Sequence, residues 1–423
     1  MEKRIKNNLG SIFDMRNIYI VNNSSVASQY GVGTYVEQLT KVVRERADLN
    51  LTIVQICANV ENIEMRTNNG IRQFLIPSVD VQDNSFLYER YCRNISYILQ
   101  EYIDLFNINV FHLNFYQDVA IVRSLRSRQI RCVVCFTVHY LNWCFVLKGN
   151  RTYFHFILSQ DATKRSLKEI DVFDAFTVEK EMFNYVDYVI CLSKSTKEIL
   201  INDYQVPIAK LKYIANGLPH KLSVQDNECE KEPVLGKKEI LILFVGRLDH
   251  NKGIEELLRA FRIVQDKIQN VRLVIVGDGE FATYLKLCER IWHKVSFVGR
   301  VEKDKLDCIY SMADLGVIAS YTEQCSYVMI EMMMRGIPLV ATSVAGVNEM
   351  VGPSYPFRVN ISQEEICSIN VEILAQQMIT ALSLNLLEKK SIKDYLVNRY
   401  IQLYGFDLFR NKMLDFYLNI KSK

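Results

Sequence analysis

Two pairs of charged residues in the second half of the chain have types and spacing suited to an anionic ligand that also carries hydroxyl groups. Glu323 and Glu331 stand eight apart in ASYTEQCSYVMIEMMMRGIPLVATSVAG, residues 319–346. Arg247 and Lys252 stand five apart in FVGRLDHNKGIEELL. An ionised carboxylate can only accept hydrogen bonds, which fits sugar and ribose hydroxyls. A planar guanidinium matches two phosphate oxygens at once, and an ammonium on the same turn reaches the same diphosphate. Such residues need elements that bring them together. DLGVIAS, ahead of Glu323, predicts a short buried strand, and YVMIEMMMRG predicts a helix stopped by Gly336-Ile-Pro338. KEILILFVG likewise predicts a strand that turns at Gly246 and resumes as an amphipathic helix from Ile254. Both pairs therefore fall where a strand feeds a helix. Open parallel sheets bind ligands at that edge, and the unpaired N–H groups opening a helix attract phosphate. Two glutamates eight apart are by themselves ordinary solvent-facing decoration. With these neighbours they describe a site for a sugar nucleotide.

The first half reads as alternating strand and helix. NIYIVNN, LTIVQIC, INVFHLN, IRCVVCFTVHY and VDYVICLS are strand-like runs separated by segments of helical length and polarity, the pattern of a doubly wound α/β domain. Gly31 and Gly33 lie between the first strand and a helix with Val36, Leu39, Val42 and Val43 on one face. Glycine there lets backbone approach a ligand, although turns use glycine freely for positive φ alone. His139 ends the strand CFTVHY at the ligand edge, and His112 ends VFHLN in the same way. A histidine so placed is either a core residue satisfied by a neighbour or a site residue. Cys132 and Cys135 form a C-x-x-C, but strand positions three apart point to opposite faces, so the thiols diverge and do not read as a metal pair. Asn216-Gly217 is an N-G turn, which needs no function.

E-x7-E followed by an apolar helix, G-I-P, a strand and an A-G turn, together with G-R-L-x-x-x-K-G at 246–253, closely resembles the signature of the GT4-like retaining glycosyltransferases. The resemblance covers nearly the whole chain and is strongest from Phe244 to Gly346. It implies the GT-B fold: an α/β protein of two Rossmann-like, doubly wound domains facing each other across a cleft. The implied reaction moves a hexose, with retention, from a nucleoside diphosphate sugar to an acceptor, UDP-sugar being the favoured donor. No metal and no cofactor beyond the donor substrate are implied. His139, Arg247, Lys252 and Glu323 would carry catalysis. Arg247 and Lys252 would hold the diphosphate, Glu323 the transferred sugar and Glu331 the ribose. Further donor contacts would come from Gly31 and Gly33, from Arg300 and Val301 beside the base, and from Ser326 and Tyr327 at the helix start. Three positions depart from the family pattern. Tyr30 stands at the first of a usual pair of glycines, Tyr140 at the usual aspartate after the histidine, and Ser326 at a usual glycine. Serine keeps the backbone N–H and adds a hydroxyl but loses glycine's freedom at positive φ.

At 423 residues the chain exceeds one ordinary core, so two domains are expected. Their expected bounds are 1–222 on the acceptor side and 239–403 on the donor side. The charged segment 223–238 would link them, and a helix over about 404–423, bearing Phe406, Phe409 and Phe416, would pack back on the first domain. The 51 basic residues balance 48 acidic ones, which excludes the global footprint of a nucleic-acid binder. No apolar run approaches the ~18 to 20 residues of a membrane span, and the polar opening MEKRIKNNLG has no apolar core behind it, so a cytoplasmic protein is expected. Eleven scattered cysteines, several in apolar runs, argue against disulfides. RSLRSRQIR at 123–131 puts four arginines on a helix that could rest on anionic lipid at the inner membrane face. With no apolar wedge beside them, a solvated helix face is the plainer reading. The acceptor, whether glycan, lipid-linked or peptide, is open at this level. Two rivals share the architecture: a GT-B nucleotide-sugar epimerase, and a non-catalytic GT-B subunit that binds a partner.

Overall fold

Short, continuous apolar runs become strands buried on both faces of parallel sheets. The computed structural model describes residues 15–23, 30–78, 85–103, 106–220, 239–363 and 367–421. The expected linker 223–238 lies outside the described residues. In the first sheet β1 (Arg16–Asn23), β2 (Leu49–Ala58), β3 (Glu64–Asn68), β4 (Ile71–Pro77), β5 (Ile108–Leu113), β6 (Val133–Val138), β7 (Tyr188–Cys191) and β8 (Leu211–Tyr213) lie in the order β3-β4-β2-β1-β5-β6-β7-β8. β3 is antiparallel to β4 and the other pairings are parallel. The second sheet is parallel throughout: β9 (Ile240–Val245), β10 (Val271–Val276), β11 (Val295–Gly299), β12 (Leu315–Ile318), β13 (Leu339–Thr342) and β14 (Arg358–Val359), ordered β11-β10-β9-β12-β13-β14. Strand order reverses between β1 and β5 in one sheet and between β9 and β12 in the other. Loops leaving such neighbours part to opposite faces and open a crevice, so each sheet offers one ligand edge.

Helix Gly31–Arg44 shows how the sequence covers the first sheet. Val32, Tyr35, Val36, Leu39, Val42 and Val43 recur at helical spacing and are all buried. Cys132 and Cys135 fall in different core clusters, one on each side of β6. Among the described residues nine cysteines are free, eight of them buried. Among the described residues no helix is long and apolar enough to cross a membrane.

The helix Phe406–Leu418 returns from the second sheet to the first, burying Phe409, Met413, Phe416 and Tyr417. Backbone bonds guide it there: Leu218 N–H donates to Tyr404 O at 3.0 Å, and Phe406 N–H to Leu218 O at 2.8 Å. Tyr417 then meets the end of β5, its hydroxyl 2.6 Å from His112 Nδ1. His112 Nε2 lies 2.7 Å from Thr137 Oγ1, which lies 3.0 Å from the Tyr35 hydroxyl. His112 is therefore a fully buried link to the C-terminal helix and not a cleft residue, which corrects its reading as a site candidate. Burial, with His139 nearby, holds its imidazole down to about 3.

The sign of the resulting pH effect is set by the unfolded chain, where histidine protonates near its ordinary value of about 6.5. Stability contributed by neutral His112 is complete above that value and is lost as pH falls towards about 3. Burial holds Asp118 and Glu179 up at about 7, and these titrate in the opposite sense, so the wild-type profile is a compromise. His112→Gln should therefore remove up to ~1.4 kcal/mol per pH unit from the slope of unfolding free energy between about pH 3 and 6. Urea unfolding across that range checks this. A variant uniformly less stable at every pH would contradict it.

Candidate active site

The two ligand edges bound one cleft of ≈ 610 Å³, a size typical of small-molecule sites. The first sheet contributes Tyr30, Gly31, Thr34, His139, Tyr140, Asn142 and Phe145. The second contributes Arg247, Lys252, Arg300, Val301, Glu323, Ser326, Tyr327 and Glu331. Of the residues to which the family resemblance gives a donor or catalytic role, Gly33 alone does not line it. Gly33 is the third residue of helix Gly31–Arg44, whereas Gly31 opens that helix and its Cα side faces Tyr327.

Close backbone approach places Lys252 and Glu323. Gly253 has φ 63°, and a Cβ there would lie 2.1 Å from Ala319 O. Tyr321 N–H donates to Asn251 O at 2.8 Å, so the loops after β9 and β12 are joined. Lys252 Nζ then donates to Glu323 Oε1 at 2.5 Å, and Ser320 Oγ donates to the same oxygen at 2.8 Å. On the far side, a Cβ at Gly346 would meet Glu323 O at 2.1 Å, so helix Ala345–Val351 fits under the loop with glycine there. Arg247 pairs with Asp249 at 3.1 Å, its guanidinium carbon 6.0 Å from the Phe145 ring centroid across the cleft.

Ser326 caps the helix Tyr327–Arg335, its Oγ accepting from Met329 N–H at 3.4 Å. Its φ of −71° is ordinary for an L-residue, so serine does not forfeit a conformation this loop uses. Tyr30 replaces a small residue with a ring that lies 5.6 Å beneath the Arg300 guanidinium. Glu331 accepts from the Tyr310 hydroxyl at 2.7 Å. Burial raises its carboxyl above the usual range, against the Tyr310 hydrogen bond and the charge of Arg335.

His139 Nε2 lies 3.0 Å from Asn114 Oδ1, and Asn114 Nδ2 donates to Val21 O at 3.4 Å. A backbone carbonyl can only accept, so the amide presents its oxygen to the histidine, and Nε2 must carry the proton. Burial holds the ring down to about 3, which leaves a neutral imidazole with Nδ1 as an acceptor. Among the described residues three buried polar atoms of cleft-lining side chains have no partner: Asn216 Oδ1, Gln324 Oε1 and the Tyr327 hydroxyl. Each such atom destabilises a protein by ~1 to 3 kcal/mol unless something pairs with it, so a polar ligand suits this cleft. Asn216 was legible as a turn and not as a wall of the cleft; its Nδ2 donates to Cys325 O at 2.6 Å. Asn142 and Phe145 carry no motif and become visible by placement alone. Among the described residues no group of three or more His, Cys, Asp or Glu is arranged to hold a metal ion.

Comparison with known proteins gives the family. The family described as Glycosyltransferase Family 4 matches residues 30–222, and Glycosyl transferases group 1 matches 225–394. The chain belongs to the GT4 family of glycosyltransferases. An uncharacterised glycosyltransferase of Methanocaldococcus jannaschii is 38% identical over 174 residues, covering 38% of this chain and 44% of that protein. The phosphatidylinositol N-acetylglucosaminyltransferase GPI3 subunit of Saccharomyces cerevisiae is 24% identical over 246 residues, covering 56% of this chain and 52% of that protein. The matched part thus spans about half the length of these relatives. Sucrose-phosphate synthase from Thermosynechococcus elongatus superimposes with a TM-score of 0.73 at 19% identity, over 95% of this chain and 98% of that one. That likeness fixes the fold as GT-B.

In this GT4 chain Gly346→Ala should cost ~1 to 3 kcal/mol, because the added methyl must displace the Glu323 carbonyl. The midpoint of urea unfolding measures it. Undiminished stability would mean that the loop does not rest on this glycine.

Proposed function

We propose that this chain is a retaining glycosyltransferase that moves a hexose from a nucleoside diphosphate sugar to an acceptor. The observation that carries the reading is the convergence of Arg247, Lys252, Glu323 and Glu331 along the start of helix Tyr327–Arg335, in a cleft shared by two sheets. Phosphates at the helix start gain from its unpaired N–H groups and from both cations. The ribose lies towards Glu331, the base towards Arg300, Val301 and Leu306, and the sugar towards Glu323 and His139. UDP is the nucleotide that the family resemblance puts first. Relatives named as N-acetylglucosaminyl transferases support a hexose derivative as the transferred group.

In the reaction the bond from the anomeric carbon to the diphosphate breaks, a bond to an acceptor hydroxyl oxygen forms on the same face, and that hydroxyl's proton passes to the departing phosphate oxygen. Arg247 and Lys252 stabilise the charge that develops on the leaving phosphate, where fixed cations help most. Neutral His139 accepts from a sugar hydroxyl through Nδ1 and holds the ring in place.

His139→Ala should lower turnover ten-fold or more, ~1.4 kcal/mol, with nucleoside diphosphate affinity nearly intact. A matched loss of diphosphate binding would make it a structural residue.

The two glutamates separate further. Glu331→Gln should weaken free UDP and intact donor alike, by ~1 to 3 kcal/mol for a charged hydrogen bond. Glu323→Gln should spare free UDP and lower turnover of the intact donor, because it aligns the sugar. Calorimetric titration with UDP and UDP-sugar, followed by a transfer assay, reads both. Equal loss of UDP affinity in the two variants, or no loss in either, would favour a partner-binding subunit. Interconversion of donor sugars without acceptor would favour an epimerase.

A further inference from the structure

The arginine run at 123–131 is partly used inside the protein. Arg123 binds Glu89 and Glu181, each at 2.7 Å, and Arg126 binds Asp187 at 2.6 Å. Arg128 instead reaches the neighbouring helix Ser85–Gln100, its guanidinium carbon 3.5 Å from the Tyr97 ring centroid. That helix buries Tyr91, Cys92, Ile95 and Leu99 against the first sheet. Phe86, Arg90, Arg93 and Tyr97 follow one another at i, i+4, i+7 and i+11, which puts them on a single outer stripe. Phe86 is 66% and Tyr97 52% exposed, and Arg90 lies over the Phe86 ring at 5.9 Å. Tyr102, just past the helix, is 50% exposed. The apolar wedge missing from the arginine run in sequence is therefore supplied by the adjacent helix.

Over residues 85–101 and 119–131 the chain has six arginines and two glutamates, and Glu181 and Asp187, which pair with Arg123 and Arg126, bring the balance of this face to six basic against four acidic groups. Glu89 is shared between Arg123 and Arg93, which leaves the stripe positively charged. Exposed rings interleaved with arginines suit the boundary of a bilayer, where rings enter the headgroup region and guanidinium groups meet lipid phosphates. A protein hot spot gathers its rings in one central pocket, whereas these are spread along about three turns of an outward-facing helix. We infer that the face formed by helices Ser85–Gln100 and Val119–Ser127 docks on an anionic lipid surface. The helix follows β4 and runs back along the parallel sheet, so Phe86 lies towards the edge where the cleft opens. Docking by this face sets the cleft beside the membrane whatever acceptor it uses.

Flotation of the full chain with phosphatidylcholine vesicles, with and without phosphatidylglycerol, tests this. The chain should float with the anionic vesicles and not with the neutral ones. Phe86→Ser, and separately the pair Arg90→Glu and Arg93→Glu, should each reduce the floated fraction ~ten-fold or more, with circular dichroism unchanged. Equal flotation with both vesicles overturns the inference, as does a charge-reversed pair that floats like the wild type. Loss on charge reversal with none in Phe86→Ser overturns it too, since that is charge adsorption without the ring insertion that docking by this face requires.

Discussion

The ion pair between Lys252 and Glu323 is the contact on which the cleft depends. β9 and β12 are neighbours, but the loops leaving them part at the point where strand order reverses, and a fixed site needs them brought back together. The pair does so at 2.5 Å, with side chains 23% and 13% exposed. Charges this far from water are worth keeping together only when their other hydrogen-bonding capacity is met, which Ser320 does in part. Losing one partner strands the other. The same two groups address the proposed phosphate and sugar, so a ligand enters an electrostatic arrangement that already exists. Little reorganisation is then needed when charge moves during transfer.

Polar links join the two sheets beside an apolar core cluster that runs through both. Asn216 reaches the donor loop at Cys325, while the backbone of Leu218, two residues on, is bonded to Tyr404 and Phe406. The Tyr213 hydroxyl, on the edge strand of the first sheet, and the backbone N–H of Lys194, which opens a helix after β7, both donate to the Glu349 carboxylate on a helix of the second. The position of the cleft wall is therefore set by the C-terminal segment as much as by the sheet it belongs to.

What was legible in sequence was what local spacing encodes. E-x7-E and G-R-L-x-x-x-K-G fix which residues share a turn, and a strand that ends in a charged or glycine-rich turn reveals its ligand edge. The β3–β4 hairpin was not read, although Asn69-Gly70, with φ values of 49° and 75°, is a common tight-turn pair. β3 is exposed along most of its length and shows no alternation to mark it. His112 and His139 both end strands, and no local feature separates them. A tyrosine 305 positions away makes one a core residue, and an open cleft makes the other a wall. The dihedral at Ser326 is equally invisible, since it reflects how the helix is approached. Long-range contacts and backbone angles are the two things that period and motif do not contain.

The return of helix Phe406–Leu418 has a consequence for biosynthesis. Phe409 packs at 5.8 Å from Tyr35, and Tyr417 closes the network under β5 and β6, so the first sheet acquires one layer of its core from residues far downstream. A ribosome adding ~5 to 20 residues per second needs on the order of 10 to 40 s to travel from the end of β8 to that helix. During that interval the nascent first half presents an apolar face, including Tyr35, with nothing of its own to cover it. Its completion is tied to translation of the second half, and a pause between the two would prolong the exposure of a surface prone to association.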